Sequence, residues 1–113
     1  KIAETTGWLG TAYFRTGEND KATKLLLEVT REYPDQIGAT LRAYGNLIKH
    51  ARDSGETKDL DRYVEDVQRY ARSLIRSGKD KDFPLLYQRM AQLMKIGGYA
   101  AEAREWAAQA QGQ

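Results

Sequence analysis

Glycine and proline cut this chain into segments of a single kind. The breaks fall at Gly17, Pro34, Gly55, Gly78 and the pair Gly97-Gly98, and between them apolar residues recur at three- and four-residue intervals. That spacing gathers apolar side chains on one stripe of a helix, whereas a strand would alternate with a period of two. Short helices joined by tight turns must bury their stripes on one another. The punctuation therefore constrains the chain to an all-α fold of helices paired as hairpins.

Six helices are expected, over about 2–16, 20–32, 37–53, 58–77, 82–97 and 99–110. In the first, Leu9, Ala12 and Tyr13 share a face. The second has Asn19 or Asp20 to cap it, Ala22, Leu25, Leu26 and Val29 as its stripe, and Pro34 beyond its end. Ile37, Leu41, Tyr44, Ile48 and Ala51 line the third, and a seam from Leu60 to Ile75 runs along the fourth. The fifth is expected to start at a capping Asp82 with Pro84 in its first turn, and Ala103, Trp106, Ala107 and Ala110 mark the sixth.

Composition narrows the function. Charged residues are 30% of the 113 and mean hydropathy is −0.72, which suits narrow apolar stripes on water-facing helices. A net charge of +2 and a pI near 8.9 accommodate an acidic partner but lack the dense basic surface that nucleic-acid binding calls for. There is no cysteine, so no disulfide or thiolate metal site can form. The chain begins at Lys1 without an initiator methionine, signal peptide or transmembrane run, the pattern expected of a domain excised from a larger protein. Insertion into a membrane is not expected, and the compartment is not assigned.

Catalytic chemistry is not expected either. His50 is the sole histidine and lies beside Lys49 and Arg52, with no nucleophile or carboxylate partner in sequence reach. Asp61 and Glu65 stand one helical turn apart, but without nearby His or Cys they fit a solvated acidic face better than a metal site. The GKDKD stretch lacks the glycine and distal glutamate of a calcium loop. With no strands there is no place for a strand–loop–helix phosphate cradle. No cofactor and no metal is expected.

The segments also repeat. Leu9-Gly10, Tyr13, Gly17, Ala22, Leu26, Val29 and Pro34 form a set that Met90-Ala91, Met94, Gly98, Ala103, Ala107 and Ala110 follow at the same spacing. Residues 3–36 closely resemble a tetratricopeptide repeat, with Trp8 displaced from the family's usual tryptophan place, which falls on Thr6. Residues 82–113 resemble it more loosely. Residues 37–79 form a divergent middle unit: Tyr44-Gly45 and Ile48 echo the pattern, but Gly55 follows Gly45 by ten positions instead of seven.

The resemblance implies one domain of three hairpins, a right-handed α-solenoid of about six antiparallel helices. It also implies a concave groove, lined by the first helix of each hairpin, that binds a protein or peptide partner. Carried over residue by residue, that groove takes Glu4, Gly7, Thr11, Phe14 and Arg15 from the first hairpin. The middle unit contributes Arg42, Asn46, Lys49 and His50, and the third contributes Gln88, Arg89, Gln92 and Lys95. Arg42 and Asn46, with Arg89, fall on places where the family's carboxylate-clamp members hold an acidic peptide.

Helical spacing independently puts Arg42, Asn46, Lys49 and Asp53 opposite Leu41, Tyr44 and Ile48. Cations outnumber the single anion in the groove set, so an acidic segment is the expected ligand. The alternative is self-association within a larger scaffold protein, through the alanine-rich last helix with its WAAQAQGQ ending.

Overall fold

The computed structural model of the protein describes residues 2–112. Among them the chain is all-helical: α1 Ile2–Arg15, α2 Asn19–Glu32, α3 Ile37–Asp53, α4 Thr57–Arg76, α5 Leu86–Gly97 and α6 Ala100–Gln111, with a 3-10 turn at Lys79–Asp82. Two compact units share these elements, Lys1–Leu47 and Ile48–Gln113, and the boundary falls within α3.

In the first unit α1 and α2 pack side by side as a hairpin. Gly17 takes the left-handed conformation, with φ 84°, that lets the chain reverse. The Glu18 N–H then donates to Tyr13 O at 2.9 Å, satisfying a carbonyl that the end of α1 leaves without a helical donor. Gly10 sets how closely the helices approach. A Cβ placed there would lie 2.9 Å from Leu26 Cγ and 3.4 Å from Ala22 O, so only glycine admits Leu26 at this depth. Ala22, Leu26 and Val29 are buried along α2, as their spacing predicts. Thr40, fully buried, donates its hydroxyl to Tyr33 O at 2.9 Å and ties the start of α3 to the end of α2.

Two expectations fail in this unit. Leu9 is 46% exposed and Ala12 is exposed as well. The inward ridge of α1 instead runs through Ala3, Gly10, Tyr13 and Phe14, because the close contact at Gly10 fixes the rotation of the helix and turns Leu9 aside. Nor do Asn19 and Asp20 cap α2. Glu18 is the N-cap, without a side-chain bond, and its carbonyl accepts the first helical bond from Ala22 N–H at 3.0 Å.

In the second unit α4 presents Tyr63, Val64, Val67, Ala71 and Leu74 to the core, and α5 adds Leu86, Tyr87, Met90, Leu93 and Met94. Trp106 of α6 is 2% exposed, its indole N–H donating to Gln68 Oε1 at 3.0 Å and its ring 5.9 Å from that of Tyr87. Burying an indole requires such a partner for its N–H.

The fifth helix starts later than expected. Phe83 has φ −140° and ψ 82°, because the ring of Pro84 crowds the helical conformation of the residue before it. Pro84 thus stands ahead of α5. The N-cap is Leu85, with no side-chain bond, and Asp82 ends the 3-10 turn.

Candidate functional site

Each unit gathers part of the polar set expected from the sequence, and each is described by itself. On the first unit, Asn46 Nδ2 donates to Thr11 Oγ1 at 3.0 Å, and the threonine hydroxyl donates to Gly7 O at 3.1 Å. Arg42 lies over the ring of Trp8, with its Cζ 5.9 Å from the centroid, a cation–π contact. Trp8 is 62% exposed. Thr11 and Asn46 are thus joined, and Arg42 lies over Trp8, an aromatic that the sequence did not single out as a site residue. Phe14 is half-buried. Arg15 stands exposed in the last turn of α1, where its charge suits the negative end of the helix dipole.

On the second unit the expected residues separate. Lys49 is bound to Asp53 at 2.9 Å, which neutralises one of the cations counted toward an acidic ligand. His50 is half-buried, and against the expectation that no nucleophile lies in its reach, its Nε2 is 3.4 Å from Ser54 Oγ, one helical turn on. Arg89 lies over Phe83 at 5.7 Å from the ring centroid, and Gln88 is exposed.

Gln92 and Lys95 instead border an open cleft of about 440 Å³ between α5 and α6. Its floor is small: Ala91 and Gly98 on one side, Ala100, Ala103 and Ala107 on the other. Arg52 and Arg104 add two guanidinium groups to its edge. Arg52 donates from Nη1 to Ile96 O at 2.8 Å and reaches Lys95 O at 3.4 Å, so it caps the carbonyl end of α5. Gly98, with φ 86°, makes room for it: a Cβ there would lie 3.3 Å from Arg52 Cζ.

The floor has a sequence cause. Ala91, Ala103 and Ala107 occupy the places that Gly10, Ala22 and Leu26 hold in the first hairpin. Where Leu26 fills the space between α1 and α2, Ala107 leaves it open and is itself exposed. Its place in the α6 stripe is thus a shortfall of side chain, not a core contact.

The acidic pair of α4 is engaged within the unit. Glu65 pairs with Arg69 at 3.4 Å, and Asp61 accepts a hydrogen bond from the Tyr99 hydroxyl. Among the described residues no cluster of His, Asp and Glu could hold a metal ion, and no helix is long and apolar enough to cross a membrane. Comparison with protein-family models, with curated proteins and with solved structures returns no match.

Proposed function

We propose that this chain is a non-catalytic protein-interaction module that holds an acidic segment of a partner protein. The observation that carries the reading is the Trp8–Arg42 pair beside the Asn46–Thr11 hydrogen bond. Tryptophan and arginine are the side chains most enriched where interfaces concentrate their binding energy. The Arg42 Cζ lies 5.9 Å from the indole centroid, and a guanidinium can grip a carboxylate with two parallel bonds. Asn46 spends one amide proton on Thr11 and keeps the second for a ligand. The tetratricopeptide-like arrangement of the hairpins belongs to the same proposal.

Arrays of acidic and neutral peptides test it. Arg42→Ala/Asn46→Ala should weaken the recovered acidic ligands by about tenfold or more, and Trp8→Ala should do the same. Unchanged binding of every recovered ligand would refute this face as the site. Self-association is the second reading, favoured by the adjacent exposure of Trp8 and Leu9. Sedimentation across a concentration series separates the two, because only self-association produces a mass that grows with concentration and shrinks in Trp8→Ala.

A further inference from the structure

We propose that the cleft between α5 and α6 is a second docking site, and that it seats an amphipathic helix of a partner protein with carboxylates flanking its apolar stripe. The inference rests on the reading of the chain as an interaction module but uses residues of the second unit instead of Trp8 and Arg42.

Charge chooses the ligand. Lys95 and Arg104 make no ion pair among the described residues. The sequence explains why. Positions three and four away from Lys95 hold Ala91, Gln92, Gly98 and Tyr99, and those around Arg104 hold only alanine. No carboxylate is therefore within reach on their own helices. Two cations of α4 are by contrast compensated: Arg62 binds Asp59 at 3.1 Å, and Arg69 binds Asp66 at 3.2 Å. The cleft thus brings two uncompensated charges and the Arg52 guanidinium around an apolar floor. A ligand with carboxylates beside an apolar surface complements both properties at once.

The shape chooses a helix. A floor of alanine and glycine gives no deep pocket for one large side chain. It lets a helix approach closely and lay an apolar stripe along the trough, the helix-in-groove mode of recognition. The four carboxylates of α4 are already engaged by Arg62, Arg69 and Tyr99, so the complementary acids are assigned to a partner.

Synthetic helical peptides with one leucine–alanine stripe test the site, flanked by Glu in one, by Gln in a second and by Lys in a third. Calorimetry on the full chain should show the Glu peptide binding and the Gln peptide about tenfold weaker. Amide NMR shifts should localise the Glu peptide to α5 and α6. Lys95→Glu/Arg104→Glu should abolish that binding and transfer it to the Lys peptide, a reversal that misfolding cannot mimic. Ala107→Trp, which fills the trough without changing charge, should also block the Glu peptide.

Equal binding of the Glu and Gln peptides, absence of binding, or retention of the Glu peptide by the charge-reversed variant overturns the proposal. Arg42→Ala/Asn46→Ala should leave this binding intact. If it is lost there and retained in Lys95→Glu/Arg104→Glu, the acidic ligand belongs to the first unit alone.

Discussion

The hairpins α1–α2 and α5–α6 are built on the same register, yet one is closed and the other open. Both reverse at a left-handed glycine, Gly17 in one and Gly98 in the other. Both then close their first helix through the same turn bond. Glu18 N–H reaches Tyr13 O, and Tyr99 N–H reaches Met94 O, at 2.9 and 2.8 Å. The difference that opens the cleft lies at one pair of facing places. Gly10 faces Leu26 in the first, and the corresponding places in the last hairpin hold Ala91 and Ala107. A small residue opposite a large one gives a filled contact, while two small residues leave a trough. A packing difference at two facing positions thus separates a filled hairpin from an open cleft.

The sharpest way to break this comparison is to empty the closed hairpin. Leu26→Ala should cost about 2–5 kcal/mol, since Leu26 is fully buried. Gly10→Ala should cost about 1–3 kcal/mol through the collision with Leu26. The pair together should cost less than the sum by about 0.5–3 kcal/mol, because the collision vanishes with the leucine. Urea denaturation of the four proteins measures it, and strict additivity would mean that Gly10 and Leu26 do not define the contact.

The converse experiment closes the open hairpin. Ala91→Gly alone should cost about 1 kcal/mol in helix propensity. Ala107→Leu should stabilise more in the Ala91→Gly background than in the native one, since the glycine admits the leucine as Gly10 admits Leu26. The same benefit in both backgrounds would mean that the cleft has another cause.

The smallest effect is set by pH. Burial raises the phenol pKa of Tyr63 above its usual 10.0, with Asp59 adding to the rise, and burial followed by Asp80 does the same for Tyr87. A raised phenol stays neutral in the folded protein at a pH where the unfolded chain has begun to ionise. The stability it contributes is therefore complete below the unfolded value and is lost as pH rises from there through the folded one. Both tyrosines belong to the second unit, so alkaline thermal melts should weaken that unit first. Tyr63→Phe/Tyr87→Phe should flatten the loss, and an unchanged slope would place its origin elsewhere.

What the sequence revealed depended on whether the cause was local. The helices, their stripes and the work of Gly10 were legible because periodicity and glycine spacing act within a few residues. The exposure of Leu9 was not, since the rotation of α1 is fixed by Leu26 across the hairpin. The late start of α5 was carried by a signal that sequence reasoning misweighted: Pro84 restrains Phe83 before it favours a first turn.

The site divides in the same way. Arg42 and Asn46 shared a polar face by spacing, whereas Thr11, which accepts from Asn46, lies on another helix and was set beside them only by the family resemblance. Arg52 was passed over because its partners, Lys95 O and Ile96 O, are more than forty residues away and leave no mark near it. Arg104 could have been found from its surroundings, an arginine among alanines with no carboxylate in helical reach.

The two tryptophans have an optical consequence. Trp8, 62% exposed in the first unit, should emit at the red end of the indole range and be quenched by iodide; Trp106, 2% exposed in the second, should emit to the blue and resist it. With only these two indoles in the chain, Trp8→Phe and Trp106→Phe leave one native fluorophore in each unit. The protein thereby carries its own pair of reporters, one on an exposed face and one in a core.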